Sequence, residues 1–302
     1  MTPSSIRVLF QIFVCALAIS SEIAGASDLD AQVTHVKNFL CARSFCVKQD
    51  VTVAQEPSEG YYAYFHAHAN RISLSPNLTD TETQLDLVHE FTHIYRHSFN
   101  NDEEVWLDEG LAKFMEYQYA GGVWPFLYEK KLRQNPELIL GNDRKQGYGV
   151  EGIGYPSSFW MVLYLYNHFG GDKLIAKLMS SSKAGWANVE SALADLRANG
   201  DIAEGPDLLT RDAIVRHFAI AVAVNDEFKA QFNLFSLDPR HEPLTSALPA
   251  PQSFDASAGV AIVYSKRYAP SRAREVYAVR DGIPSAVSGG AVPTADLFVF
   301  IF

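Results

Sequence analysis

The pattern of apolar and polar positions divides the chain into an early part with strand periodicity and a later part with helical periodicity. Alternating residues predict strands at 51–54 and 61–74. From residue 81 onward, apolar residues recur every three or four positions, as in amphipathic helices. Strands followed by helices indicate an α+β fold. Helices are predicted at 28–45, 81–98, 103–119, 156–169, 172–181, 186–198 and 207–224.

Two stretches interrupt this pattern. Between the helices at 103–119 and 156–169, a proline and several glycines predict a long irregular loop, which we expect to border a functional cleft. Beyond about residue 238, frequent Pro, Ala and Ser suggest a linker. Residues 239–302 are assigned to an extension with one strand pattern, at 259–264. A small β unit, a disordered extension and a partner-binding end all stay open for it.

The first 26 residues have the parts of a secretory signal peptide. Arg7 supplies a positive charge, residues 8–19 form a short apolar core, and Ala24–Ala26 has the small residues of a cleavage site. The apolar core is too short to span a bilayer comfortably, although an uncleaved anchor is the alternative. We therefore expect a secreted or periplasmic protein without a stable membrane span.

Cysteine content and charge agree with such a protein. Once the signal has been removed, Cys41 and Cys46 remain, and an even pair in an oxidising compartment predicts a local disulfide. The formal net charge of −10 argues against a nucleic-acid partner, because nucleic-acid-binding surfaces are basic. A chain of 302 residues can form one or two domains, and its oligomeric state is left open.

The helix predicted at 81–98 carries the sequence H-E-x-x-H at residues 89–93. Residues four apart lie on one helix face, so His89 and His93 can aim both imidazoles at one ion. Glu90 is rotated about 100° from His89, where it can take a proton from a water on that ion.

Four other polar residues bear on this helix. Thr79 and Glu82 form a capping box at its start. Asp86 lies on the face of the two histidines, either as a solvated or capping charge or as a partner that orients a ligand. His97 shares that face, either as a helix-end histidine or as a fourth ligand.

The string W-L-D-E-G-L-A at 106–112 opens the next predicted helix. A catalytic zinc has three protein ligands and an open fourth position, so an acidic side chain here can complete the set. The string resembles the zinc-ligand helix of the gluzincin metallopeptidases, in which the glutamate before the glycine binds the metal. The resemblance implies that Glu109 is the third ligand, with Asp108 as its rival.

Within the gluzincins, the chain is more similar to the aminopeptidase N and leukotriene hydrolase family than to thermolysin. Thermolysin-like enzymes orient the first histidine with an aspartate four residues after the ligand glutamate. That position is Lys113 here, so we expect this orienting contact to be missing. The spacing from His93 to Glu109 is shorter than is usual in the aminopeptidase N family, which puts the intervening loop in question.

The segment 154–171 resembles the part of that family in which a tyrosine opens a helix that ends at a glycine. The family's tyrosine donates its hydroxyl to the oxyanion of the intermediate. The resemblance implies this role for Tyr155, although Ser157 and Ser158 replace the lysine and glycine that follow it there. Tyr148 is the rival donor, and both tyrosines are otherwise interfacial aromatics.

One family feature is absent from the sequence. The exopeptidases carry an upstream glycine-x-methionine-glutamate-asparagine strand that binds the substrate's amino group, and no such string precedes His89. The predicted strand at 61–74 can instead be a sheet edge to which an extended peptide adds. His66 and His68 are expected on one face of it, as surface histidines or as a second metal site.

Together, these features predict a secreted zinc-dependent peptidase that acts on peptides or proteins. The resemblance implies a thermolysin-like zincin catalytic domain at residues 27–238, with a small N-terminal sheet followed by a mostly helical lobe. An aminopeptidase acting on free N-termini and a non-catalytic secreted zinc-binding protein of the same fold are the alternatives. One Zn²⁺ ion is assigned to His89, His93 and Glu109, with Glu90 and Tyr155 as catalytic residues.

Overall fold

The computed structural model describes residues 28–57, 63–122, 137–141, 154–203, 205–224, 259–265, 273–280, 283–287 and 297–301, together with Ala295. Within these ranges the protein is α+β, as predicted, and mostly helical with two small sheets. The predicted signal peptide, the boundary at 239 and Tyr148 lie outside them. In chain order, the elements are α1 (Leu29–Ala42), β1 (Thr52–Gln55), β2 (Ala63–His66), β3 (Arg71–Leu74), α2 (Asp80–His97), α3 (Val105–Tyr119), β4 (Glu137–Gly141), α4 (Gly154–His168), α5 (Asp172–Met179), α6 (Gly185–Ala198), α7 (Arg211–Val224), β5 (Gly259–Ser265), β6 (Glu275–Arg280), β7 (Ile283–Ala286) and β8 (Leu297–Ile301).

The first sheet has the order β1-β3-β2, with β1 parallel and β2 antiparallel to the central strand. The prediction of one strand over 61–74 is therefore wrong. A short helical turn at Ala67–Ala69 and Asn70 in the left-handed conformation (φ 44°) reverse the chain between β2 and β3. His66 contacts Ser73 Oγ at 3.0 Å, whereas His68 lies exposed in the turn. The two histidines thus do not share a strand face.

Local sequence signals set the ends of the two site helices. The predicted capping box is present at the start of α2: Thr79 Oγ1 accepts from the Glu82 backbone N–H, and the Glu82 carboxylate accepts from the Thr79 N–H. Helix α3 stops at Gly121 and Gly122, whose φ angles of 63° and 82° place them in the left-handed region that favours glycine.

Helix α3 packs against α4 most closely at Gly110. A Cβ at this position would lie 2.8 Å from the backbone oxygen of Ser158 and 2.8 Å from Cγ2 of Val162. Glycine is therefore required for this approach. The close contact holds Glu109, the adjacent residue, beside the helix that carries Tyr155.

The second sheet is antiparallel, with the order β4-β5-β8-β6-β7. Strand β4 lies within the stretch predicted to be irregular, and β6, β7 and β8 were not predicted; only the pattern at 259–264 identified a strand, β5. Helix α7 packs on this sheet, where Tyr264 Oη donates to the Ala219 carbonyl at 3.0 Å and Arg216 pairs with Glu275 at 2.8 Å. Strands β4 to β8 thus add a β layer to the helical core.

The predicted disulfide between Cys41 and Cys46 is present. It closes the turn after α1, where the Phe45 ring packs against Tyr95 of α2 at 5.4 Å between centroids. Tyr95 Oη also donates to the Ser44 carbonyl at 3.3 Å. These two contacts therefore attach the turn after α1 to α2. Among the helices within the described ranges, none has the length and apolarity needed to cross a membrane.

Candidate metal centre and active site

Helices α2 and α3 bring three ligand atoms together. Nε2 of His89 lies 3.0 Å from Nε2 of His93, and Oε2 of Glu109 lies 3.2 Å and 3.5 Å from these two atoms. A tetrahedral zinc with bonds of about 2.0–2.1 Å separates its ligand atoms by about 3.3 Å. The three side chains are 9–10 % exposed, and Glu109 Oε2 has no hydrogen-bond partner in the described part of the chain. The donor set therefore fits a metal ion, with Zn²⁺ a suitable one.

Glu116 orients His89 from the far side of the imidazole. Its Oε1 lies 2.6 Å from His89 Nδ1 and accepts at 2.6 Å from Lys113 Nζ. The expectation that the orienting contact is missing is therefore wrong. Lys113 occupies the position four residues after Glu109, but Glu116, three residues further along the same helix face, makes the contact. Helical periodicity from Glu109 was the signal that could have found it.

Asp108 contacts the second histidine in the corresponding way. Its Oδ1 lies 3.0 Å from His93 Nδ1, and its Oδ2 lies 3.2 Å from His97 Nε2. Asp108 thus faces the far nitrogen of His93, while Glu109 faces the near one. His97 contacts this carboxylate and is not part of the set that Glu109 completes. The donor atoms of His93, His97 and Asp108 form a second group that lies within 4.8 Å.

The two carboxylates behind the histidines set the imidazole tautomers. An ionised carboxylate only accepts hydrogen bonds, so Nδ1 of His89 carries the proton in its 2.6 Å contact with Glu116, and the 3.0 Å ion pair with Asp108 favours a proton on Nδ1 of His93. The Nε2 lone pairs are then available to the shared point between α2 and α3. This is the arrangement by which carboxylates orient zinc-binding histidines.

The pKa shifts describe a pocket that attracts positive charge. Burial alone would lower the pKa of His93, but the charges of Asp108 and Glu109 and their hydrogen bonds hold it well above its usual value. Burial alone would raise the pKa of Glu109, yet the neighbouring His93 and His89, whose Nε2 atoms lie 3.5 Å and 3.2 Å from its carboxylate, hold it well below its usual range. The same carboxylates would stabilise a cation bound between these groups.

Glu90 has the burial expected of a general base. Its side chain is buried next to His89 on α2, and burial raises its pKa, with a smaller contribution from the Glu109 charge. The two histidines oppose this shift. A raised pKa brings the carboxylate closer to the pH at which it can both take and return a proton.

Tyr155 and Asp86 lie beside the ligand set. The Tyr155 ring, in the first turn of α4, is 6.4 Å from the His89 ring and 5.4 Å from Lys113 Nζ. Asp86 lies one turn before Glu90, and its Oδ2 is buried without a hydrogen-bond partner in the described residues. Burial, followed by the Glu116 charge, raises the pKa of Asp86 to about 6. Asp86 is therefore a largely buried group near the centre and not a solvated charge.

Comparison with known families identifies the same part of the chain. Residues 46–118 match the model of the Peptidase M78 family, described as the IrrE N-terminal-like domain. The match covers about a quarter of the chain and contains β1 to β3, α2 and most of α3. It indicates a zinc-metallopeptidase-like fold around the ligand set and suggests either a metallopeptidase or a regulatory zinc-binding protein. No curated protein shows a match to this chain.

Proposed function

We propose that this protein is an exported zinc-dependent peptidase that hydrolyses peptide bonds. The proposal rests on one observation. A buried carboxyl group, that of Glu90, lies beside the three potential metal ligands His89, His93 and Glu109. A structural zinc site usually fills all four positions with protein ligands, whereas this set supplies three. A pure zinc-binding protein has no need for Glu90. The family match at residues 46–118 supports the same class.

Each residue has a defined task in this proposal. Zinc, when bound, supplies a Lewis acid that polarises the scissile carbonyl and makes water more acidic. Glu90 takes the proton of the attacking water and delivers it to the leaving amine. Tyr155 donates its hydroxyl to the oxygen that becomes negative in the transition state. Glu116 and Asp108 keep the ligand histidines in one tautomer.

Within this class, we place the chain in the aminopeptidase N-like branch of the gluzincins, with a thermolysin-like zincin domain. The D-E-G-L-A string at 108–112 and the position of Tyr155 beside His89 support this placement. The substrate is a peptide or protein, not a nucleic acid. The signal-like first 26 residues and the Cys41–Cys46 disulfide support export.

The proposal is tested by replacing Glu90 with Gln, which removes the base but retains the shape of the side chain. Zinc content should stay at one ion per chain, while hydrolysis of casein and of a peptide library falls by at least about a hundredfold. Exposed Glu190→Gln is the matched control and should hydrolyse like the parent. A Glu90→Gln variant with the parent rate contradicts the role of Glu90.

Two further results separate the alternatives. Faster cleavage of peptides with a free N-terminus than of acetylated ones identifies an aminopeptidase, because an exopeptidase must bind the free amine. Zinc-loaded parent protein that cleaves no peptide in the library favours the non-catalytic zinc-binding protein. A chelator should abolish activity in either peptidase, and added zinc should restore it.

A further inference from the structure

We infer that His97 is a positioning residue of the metal centre: it holds the Asp108 carboxylate in the orientation in which Asp108 holds His93. This inference rests on the proposed metal centre. The contacts lead from a partly exposed residue, whose side chain is 25 % exposed, to the buried His93. His97 Nε2 lies 3.2 Å from Asp108 Oδ2, and Asp108 Oδ1 lies 3.0 Å from His93 Nδ1.

Helix geometry makes these contacts possible. His97 follows His93 by four residues, so the two imidazoles lie on the same face of α2, stacked at 5.9 Å with 28° between their planes. Asp108 lies opposite both, in the first turn of α3. One carboxylate can therefore bind two successive histidines of the facing helix, one with each oxygen.

The burial of Asp108 shows why the second histidine is needed. Asp108 is 3 % exposed, and its carboxylate oxygens lie against the imidazoles of His93 and His97. A buried carboxylate is costly unless both oxygens have partners. Without His97, Oδ2 loses its donor and the carboxylate can turn away from His93. The effect on the metal is indirect, through the direction and tautomer of the His93 ring.

A second metal ion in the group of His93, His97 and Asp108 is the competing explanation. It would require both ring nitrogens of His93 to bind metal at once, with the imidazole stripped of its last proton. The observed contacts need no such species, because they are direct: Asp108 Oδ1 lies 3.0 Å from His93 Nδ1 and Asp108 Oδ2 lies 3.2 Å from His97 Nε2.

The test compares His97→Leu with His97→Gln in the full chain. Zinc affinity is measured by competition with a chelator, and urea unfolding is measured on the metal-free protein. His97→Leu should weaken zinc binding by about 10-fold or more, the range for partners of ligand histidines. His97→Gln retains an N–H donor and should recover most of the affinity. Exposed His68→Leu is the matched control and should bind zinc like the parent.

The outcomes are distinct. A parent chain that binds no zinc contradicts the proposed function itself. If the parent binds zinc and His97→Leu binds it equally well, the positioning role is wrong while the proposed function stands. A loss of metal-free stability in His97→Leu with unchanged zinc affinity shows a purely structural role. Two zinc ions in the parent and one in His97→Leu identify a second metal site and overturn the inference.

Discussion

A buried ion pair joins Arg96, at the end of α2, to Glu103, in the loop between α2 and α3. Arg96 is 0 % exposed and donates to the Glu103 carboxylate through Nε at 2.9 Å and through Nη2. Its remaining donors reach the carbonyls of Ser181, at 2.6 Å, and Lys183, at 2.7 Å. Glu103 also accepts from the Gly185 backbone N–H. The pair therefore connects the short α2–α3 loop to the α5–α6 loop.

Replacing Arg96 with Met tests this arrangement. The variant retains an apolar stem but leaves the Glu103 charge buried without a cation, and it removes the donor from two backbone carbonyls. Breaking one side of a buried ion pair costs about 3–5 kcal/mol of unfolding free energy. We expect a loss in this range for Arg96→Met. The double variant Arg96→Met, Glu103→Gln should lose less than the sum of the two single changes, because no unpaired charge remains.

Urea unfolding of the metal-free protein, followed by tryptophan fluorescence, measures these losses. Trp106 and Trp160 are 1 % exposed, so unfolding moves both indoles into water. Lys173→Met, which removes the exposed pair with Asp201, is the control and should change stability by less than about 1 kcal/mol. A loss below about 1 kcal/mol for Arg96→Met, or additive losses in the double variant, would refute the reasoning.

Three further predictions concern packing, the disulfide and the metal. Gly110→Ala should lower the free energy of unfolding in urea by about 1–2 kcal/mol, because overpacking against α4 exceeds the gain in helix propensity. The control Gly205→Ala places its Cβ in open space and should not lower it. Replacing Cys41 and Cys46 with Ser should lower the free energy of unfolding by about 2 kcal/mol relative to the disulfide-bonded parent in the same assay, since the closed loop is small. Glu116→Gln should weaken zinc binding by about 10–100-fold in chelator competition, and an unchanged affinity would contradict its role on His89.

The parts of the fold that sequence could predict are those set by neighbours along the chain. The capping box at Thr79 and the stop at Gly121 involve residues a few positions apart, and both are present. The helical spacing of apolar residues likewise predicted α2 and α3. The reversal at Asn70 was missed because apolar and polar residues continue to alternate on both sides of it. Strand β4 was missed because its partner, β5, lies more than a hundred residues later in the chain.

The features of the site also divide into those set by neighbours along the chain and those set by helix packing. The i and i+4 spacing of His89 and His93 is a local property, and the resemblance singled out Glu109 as the third ligand. The partners behind the histidines depend on how α3 is turned toward α2. Helical periodicity could have placed Glu116 on the face of Glu109, but the contact of Asp108 with His93 could be assigned only once the two helices were seen together. His97, for which a helix-end histidine and a fourth ligand were both open, was seen to contact Asp108 in the same way.

The central claim is that α2 and α3 hold one catalytic metal ion. Diffraction from crystals of the zinc-loaded protein, recorded on both sides of the zinc absorption edge, tests it most directly. We expect one anomalous peak, bonded to His89, His93 and Glu109, with a fourth position that no protein atom fills. A crystal grown with zinc that shows no peak there, or a peak whose four positions are all filled by protein side chains, would contradict it.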